Sequence, residues 1–328
     1  KILFLKKFTL AKIHRFLITG GCGSIGSALV ERLLMKGHTV CSLDNSESQL
    51  FHQIQILSKR FPNTYRPFLG DIRDYERLHR AFSSVDIVFH CAALKHVELS
   101  EYNPFEVLKT NVEGTHNVVE ACLNTNVKKL VFASSDKAVN PSSTMGASKL
   151  LAERIIISSS SYVGRSSFIS SCVRFGNVWD TAGSVGKIFK EQALRNMPIT
   201  LTSSEMTRFF ITIEKALDLF EYALDSMKGG EIFVSSMGVL SIDKLANAFK
   251  TYFQSESEIS IIGAKPGEKL FEELYTEQES PRTNFQDGYY IIHKHGNKNV
   301  TNKDIPITLR SDDKNLSEMD PLNLIKLI

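Results

Sequence analysis

Short apolar runs alternate along this chain with longer stretches whose apolar residues recur every three or four positions. The first run, Arg15 to Thr19, leads through a glycine-rich turn into an amphipathic pattern over Ser24 to Lys36. Thr39 to Leu43 precedes a helical pattern over Glu47 to Arg60, and Tyr65 to Leu69 precedes one over Tyr75 to Phe82. Val85 to His90 and Leu130 to Ala133 continue the series, separated by a long helical stretch from Phe105 to about Asn124. Ser171 to Val178 is a sixth strand with its exit. Compact apolar runs bounded by turn residues read as strands buried on both faces, and their alternation with helices predicts parallel βαβ units.

The second half keeps the same grammar with shorter words. A helix is expected over Gly186 to Asn196, a short strand over Ile199 to Thr202 and an amphipathic helix over Glu214 to Met227. Glu231 to Ser235 reads as a strand rejoining the large sheet, and a last lobe begins near Val239. The expected fold is α/β: a Rossmann-type doubly wound parallel sheet with a smaller α/β lobe. Residues 13–180 with about 207–238 form the dinucleotide-binding part, and 181–206 with 239–293 form the lobe. Residues 1–12 are an extension and 294–328 a polar tail.

Composition narrows the classes without choosing among them. The chain has 328 residues, enough for about two domains of ~150 residues each. With 42% hydrophobic and 23% charged residues it is globular, and a net charge of +3 gives no argument for nucleic acid. The five cysteines, Cys22, Cys41, Cys91, Cys122 and Cys172, form no C-x-x-C pair. That usage suits a reducing, cytoplasmic setting without disulfides, and no metal site is expected. No apolar stretch is long enough to span a bilayer, and Lys1 to Lys12 lacks the core and cleavage site of a signal peptide. It is expected to be a poorly packed extension of a protein with no membrane partner.

Two places carry chemistry. Gly20, Gly23 and Gly26 give G-x-x-G-x-x-G between a strand and a helix. That arrangement needs glycine for the tight turn, for backbone approach to a pyrophosphate and for close helix packing, with Ser24, Ile25 and Gly26 opening the helix. Asp44 ends the second strand, eighteen residues beyond Gly26. A carboxylate there favours NAD over NADP by accepting from an adenosine ribose and repelling a 2′-phosphate, with a turn or N-cap aspartate before Asn45-Ser46 as the lesser alternative. The second place is S-S-D-K-A-V-N-P-S-S-T-M-G-A-S-K, Ser134 to Lys149, at the end of a buried strand. Ser134, Ser135, Asp136 and Lys137 gather where ligands bind in open parallel sheets, and Lys149 lies in the first turns of the next helix.

This arrangement resembles the extended short-chain dehydrogenase/reductases, whose active-site helix carries Tyr-x-x-x-Lys. Here Met145 stands in the tyrosine position before Lys149. The Asp136-Lys137 pair with that methionine resembles the nucleotide-N-acetylhexosamine 4,6-dehydratases of polysaccharide biosynthesis in particular. Further matches are A-A-x-K-H-V at Ala92 to Val97, V-R-F-G-N-V at Val173 to Val178 and E-M-T-R-F-F at Glu205 to Phe210. Lys265-Pro-Gly-Glu268-Lys-Leu departs from the family's R-P-G-E-K-L by a lysine for arginine. The resemblance covers about residues 13 to 280.

It implies a tightly bound NAD(P), with NAD favoured, regenerated in every turnover. Cofactor contacts would come from the glycine-rich turn, Asp44, Asp71, Ile72, Ala92, Ala93, Lys95 and Lys149, with Asn111 bracing the active-site backbone. Substrate contacts would come from Lys95, His96, Asn177, Ser184, Val185, Thr207, Arg208, Lys265 and Glu268. The implied reaction oxidises C4 of a nucleotide-linked N-acetylhexosamine, eliminates water across C5 and C6, and returns the hydride to C6. Lys137 is then expected to be the base and Asp136 the acid, with Ser135 bonding the C4 hydroxyl. A 4-epimerase, a C5-inverting dehydratase and a non-catalytic dinucleotide-binding scaffold are the alternatives. Relatives pair through helices matching 105–124 and 146–158, so a homo-oligomer is expected.

Overall fold

The computed structural model describes residues 13–162, 167–295 and 305–328. The sequence reading of residues 1–12 lies outside them. Six strands open the fold: β1 (Arg15–Thr19), β2 (Thr39–Asp44), β3 (Tyr65–Leu69), β4 (Ile87–His90), β5 (Lys129–Ala133) and β6 (Ile169–Arg174). The helices between and after them are α1 (Ser24–Met35), α2 (Glu47–Arg60), α3 (Tyr75–Phe82), α4 (Val97–Tyr102), α5 (Pro104–Val107), α6 (Gly114–Leu123) and α7 (Thr144–Ser159). The later strands are β7 (Asn177–Val178), β8 (Ile199–Leu201), β9 (Thr207–Ile211), β10 (Ile232–Ser235), β11 (Gly238–Ser241), β12 (Ile259–Ile261), β13 (Glu273–Tyr275), β14 (Thr283–Gln286), β15 (Tyr289–Ile292) and β16 (Leu309–Arg310). The later helices are α8 (Val185–Leu194), α9 (Ile213–Ser226), α10 (Ile242–Tyr252) and α11 (Pro321–Ile325).

Nine strands form the main sheet in the order β14-β15-β10-β6-β5-β4-β1-β2-β3. Every pair from β10 to β3 is parallel, while β15 and β14 extend the edge antiparallel. The fold is a Rossmann-type doubly wound sheet, and its strand order reverses between β1 and β4. Alternation within β1 shows why it holds together. Leu17 faces a core with Leu78, Val118 and Ile156, whereas Phe16 and Ile18 face one with Leu29, Leu33 and Phe220. Both faces of the sheet are therefore covered by helices, as continuous apolar strands require.

The expected single helix over 105–124 is broken. α5 and α6 flank a π-helical segment, Leu108–Glu113, whose wider turn changes the phase of the side chains and turns Asn111 inward. After Arg174 the chain leaves the main sheet, and β7 joins a small sheet ordered β11-β9-β7. Gly176 permits this exit because a Cβ there would stand 2.6 Å from Phe209 Cβ. The lobe has its own core of Trp179, Phe189, Phe210 and Phe249. Leu324 and Ile325 of α11 join it, so the end of the chain, which reads as polar tail, packs. Among the described residues no helix is long and apolar enough to cross a membrane.

One buried cation ties these parts together. Arg174, 1% exposed at the end of β6, donates to both carboxylate oxygens of Glu153 on α7, at 3.0 and 2.7 Å. It also donates to both oxygens of Glu279, at 3.0 and 3.2 Å, and to Leu274 O at 2.8 Å. All five guanidinium donors are thus used.

Arg174→Leu strands two buried carboxylates and should cost about 3–5 kcal/mol in urea unfolding. Burial alone would raise the Glu279 carboxyl, but Arg174 outweighs it and holds it below the ordinary range. A lowered folded-state value means stability present above the unfolded value of about 4.3 and lost as pH falls through the folded one. Wild-type unfolding midpoints should accordingly decline on acidification below about pH 5.

Candidate functional site

A cavity of about 600 Å³ opens at the C-terminal ends of β1 and β4, where the strand order reverses. A second, of about 300 Å³, lies towards the lobe. Lys137, Asn177, Gly183 and Val185 line both and form their common wall.

The glycine-rich turn forms one end of the larger cavity, with Gly20, Gly23, Ser24, Ile25 and Gly26 all at its wall. Gly20 has φ +66°, and a Cβ there would stand 2.7 Å from Ala92 N, so only glycine lets β1 exit so close to β4. No side chain caps the first turn of α1, which leaves its N–H groups directed at the cavity. Asp44 lines the wall, accepting from Cys22 N and Ser46 N, each at 3.0 Å. Asp71 and Ile72 line it too. Hydrogen bonds from Arg73 to Asp71, at 2.7 Å from Nη2, pull that carboxyl down to about 2.

Ala92, Ala93, Lys95 and His96 follow β4 along the same wall. Asn111 does not line either cavity. It is 1% exposed, accepts from Leu94 N at 2.8 Å, and donates to Leu94 O and to Ser148 Oγ, each at 2.9 Å. The mid-helix asparagine thereby clamps the 92–95 loop to α7. Lys95 Nζ donates to Ala182 O at 2.8 Å, and Ala182 N donates to Ser24 Oγ at 3.2 Å. Burial, with Lys187 nearby, lowers the Lys95 ammonium. His96 lies against Gly183.

β5 delivers the polar cluster. Ser134 N bonds Val173 O and Asp136 N bonds Phe175 O, which extends the sheet pairing to the strand end. Ser135 Oγ donates to Asp136 Oδ1 at 2.8 Å and accepts from Lys137 N at 3.3 Å. Lys137 Nζ donates to Asp136 Oδ1 at 3.0 Å and to Asn177 Oδ1 at 3.3 Å. Burial would depress Lys137, but Asp136 and Glu272 outweigh it and hold the ammonium above its ordinary value. Asp136 is fully buried and lines neither cavity, and its Oδ2 has no hydrogen-bond partner.

The following helix starts two residues earlier than the sequence pattern suggests. Ser143 Oγ caps α7 by accepting from Gly146 N at 3.1 Å. Met145 and Lys149 therefore face the larger cavity one turn apart. Lys149 Nζ donates to Ala133 O at 2.9 Å and lies 4.6 Å from the centre of the Phe132 ring. Burial pushes it down to about 8, and Cys91 and Glu153 nearby offset this only in part.

Ser184 and Val185 sit at the start of α8 on the larger cavity. Arg208, Lys265 and Glu268 line the smaller one. Arg208 donates to backbone oxygens of Thr207, Lys269 and Leu270; Lys265 pairs with Glu98 at 2.9 Å; Glu268 accepts from Thr202 Oγ1 at 3.0 Å. Thr207 is not brought to either wall, because its hydroxyl bonds Ser311 Oγ at 2.9 Å. Sequence reasoning missed Glu272, buried beside Lys137 on the smaller cavity. It assigned no role to Ser134, whose buried hydroxyl lines the larger cavity without a partner. A serine pair at a strand end hints at the second, but nothing in F-E-E-L marks its first glutamate as buried.

A family model described as polysaccharide biosynthesis protein matches residues 16–294. The chain is 44% identical over 300 residues to an uncharacterized membrane protein of Methanocaldococcus jannaschii, covering 88% of this chain and 89% of that one. It is 37% identical over 281 residues to a UDP-N-acetylglucosamine 4,6-dehydratase (inverting) of Campylobacter jejuni, covering 84% and 81%. The crystal structure of Pen from Bacillus thuringiensis superposes with a TM-score of 0.87 at 36% identity, covering 97% of each chain.

Asn111→Ala leaves both polar groups of Leu94 without their partner. It should destabilise the fold by about 1–3 kcal/mol, read from urea unfolding, while the isosteric Asn111→Asp recovers only the bond from Leu94 N.

Proposed function

Since the chain belongs to the polysaccharide-biosynthesis branch of the NAD-dependent sugar epimerases and dehydratases, we propose that it dehydrates UDP-N-acetylglucosamine to the 4-keto-6-deoxy sugar. The observation that carries this reading is Lys137 at the common wall of two cavities, one glycine-lined and one in the lobe. The larger cavity fits a dinucleotide. Its wall combines an uncapped helix start, a carboxylate at the end of β2, and buried Ser134 and Ser184 hydroxyls without partners. The backbone at Ser24, Ile25 and Gly26 would hold the pyrophosphate, Asp44 the adenosine ribose, Asp71 and Ile72 the adenine, and Lys149 the nicotinamide ribose. Asp44 favours NAD. Bound there, the cofactor supplies hydride acceptance from C4 and hydride return to C6.

The sugar nucleotide would occupy the smaller cavity, with Arg208, Lys265 and Glu268 towards its nucleotide and Asn177, His96 and Val185 nearer the sugar. Met145 has no ionisable group, so the C4 hydroxyl proton must go elsewhere than in Tyr-x-x-x-Lys enzymes. Ser135 already donates to Asp136 and is a weak base. Lys149 is held on Ala133 O. That leaves Lys137 as base at C4 and again at C5. In the resting site Lys137 Nζ donates to Asp136 Oδ1 at 3.0 Å, and Asp136 is read as the acid that protonates the departing C6 hydroxyl. A second reading, dehydration with inversion at C5, is favoured by the name of the Campylobacter relative.

Two outcomes are expected. Purified protein given UDP-N-acetylglucosamine and no added cofactor should produce a new C6 methyl signal in proton NMR, and the C5 coupling distinguishes retention from inversion. An axial C4 hydroxyl would mean epimerase, and bound cofactor with unchanged sugar a binding module. Lys137→Ala should lower both nicotinamide reduction and water loss by about 10²–10⁴-fold, whereas Met145→Ala costs far less. Normal single-turnover absorbance at the nicotinamide band in Lys137→Ala would refute its role at C4.

A further inference from the structure

α2 buries one polar residue in its apolar stripe. Gln53 lies between Leu50 and Leu57 on the face turned to the core, and it lines neither cavity. A buried amide needs partners at both of its ends. Gln53 Nε2 donates to Gly21 O at 2.8 Å, while Oε1 accepts from Ser42 Oγ at 2.7 Å and from Tyr65 OH at 2.9 Å. A carbonyl can only accept, so Gly21 O settles which end of the amide is which. Burial raises the Tyr65 hydroxyl, which therefore keeps the proton it donates. On the other side of the same peptide unit, Cys22 N donates to Asp44 Oδ2 at 3.0 Å. The Gly21–Cys22 peptide is thus held at its oxygen from α2 and at its nitrogen from β2. Gly21 is as constrained as Gly20, Gly23 and Gly26, because a Cβ there would run into Ser42 Oγ.

We propose that Gln53 is a positioning residue for the dinucleotide, acting through the Gly21–Cys22 peptide to aim the N–H groups that meet the pyrophosphate; the proposal rests on the dinucleotide reading above. Four glycines between positions 20 and 26 let the turn pass close to β2 and β4, but glycine also leaves the backbone free to rotate. Rotation of the Gly21–Cys22 peptide would bring Gly21 O towards the Asp44 carboxylate and turn Cys22 N–H away from it. The peptides that follow, at Gly23 and Ser24, would be displaced with it. Holding the empty turn in the form that binds reduces the entropy lost when the ligand arrives. Asp44 faces the cavity and also accepts from Ser46 N, so it is shared between ligand and backbone. Gln53 stands behind the turn, fixed by Ser42 and Tyr65, and its one donor bond in the network goes to Gly21 O.

Gln53→Met removes the donor to Gly21 O, adds no charge and nearly keeps the volume. Purified enzyme carrying labelled NAD should lose it to excess unlabelled NAD about tenfold faster than wild type, as loss of one hydrogen bond to a buried carbonyl implies. In competition with labelled NAD, ADP should also bind about tenfold more weakly to the variant. Adenosine, which lacks the pyrophosphate, should bind as it does to wild type, a difference that a merely structural role would not produce. Adenosine affinity that falls in step with that of ADP overturns the proposal, and so does a variant that retains NAD as long as wild type. Tyr65→Phe takes one donor from Gln53 Oε1 but leaves the bond to Gly21 O. Its NAD release should stay within about threefold of wild type, and release as fast as from Gln53→Met refutes the assignment. Gln53→Asn decides the matter if the methionine variant does not fold. It draws the amide back from Gly21 O by one methylene and should release NAD about tenfold faster, whereas release at the wild-type rate refutes the proposal. A wild type that holds neither NAD nor NADP overturns the dinucleotide reading and this inference with it. A wild type that holds NAD, beside a methionine variant that holds it equally well, overturns this inference alone.

Discussion

The Arg174 guanidinium is the constraint on which the site's geometry depends. Its five donors reach Glu153 on α7, Glu279 and the Leu274 carbonyl, with almost no access to water. Three pieces of chain that meet nowhere else in sequence are thereby held in register. α7 carries Met145 and Lys149 into the larger cavity, the residues around β13 carry Glu272 into the smaller one, and β6 leads out to Asn177. A lysine would supply the charge but not the planar fork that satisfies two carboxylates at once. A buried ion pair of this kind is weak evidence for stability but strongly resists the loss of one partner. Its value here lies in fixing where α7 stands relative to β13.

Within that frame two lysines at one strand end acquire opposite characters. Lys149 is surrounded by a carbonyl, an aromatic face and apolar side chains, so burial lowers it. Lys137 is equally enclosed but stands between Asp136 and Glu272, and the two anions reverse the effect of burial. Desolvation penalises a lone cation, whereas a neighbouring anion repays the penalty through a Coulomb term strengthened by the same low dielectric. The result is one lysine on the wall of the larger cavity and another embedded between two carboxylates. Arg208 and Lys269, facing Glu272 from the lobe side, keep that cluster from carrying an uncompensated negative charge.

Much of this was legible from local pattern. Buried strands show as compact apolar runs, the switch point follows from βαβ alternation, and G-x-x-G-x-x-G states a backbone requirement that Gly20 meets with a positive φ. Asp136, Lys137, Met145 and Lys149 lie within fourteen residues on one strand–turn–helix unit, so the same local rules bring all but Asp136 to the larger cavity. Each of these inferences draws on neighbours a few positions away, where hydrogen bonding and side-chain period dictate the outcome.

What lay beyond reach depends on partners far away in sequence. The π segment at 108–113 brings Asn111 to Leu94 and Ser148 together. Thr207 turns from the cavity because Ser311, about a hundred residues on, takes its hydroxyl. Glu272 looks like any glutamate in a polar stretch until the fold sets it against Lys137 and shuts out water. The sequence by itself determined the sheet, the glycine cradle and the lysine at its edge, since these follow from backbone geometry and local hydrophobic period. Which carboxyl faces the smaller cavity, and with what proton affinity, was decided only by tertiary structure, because burial and Coulomb interactions depend on distance through space and not along the chain.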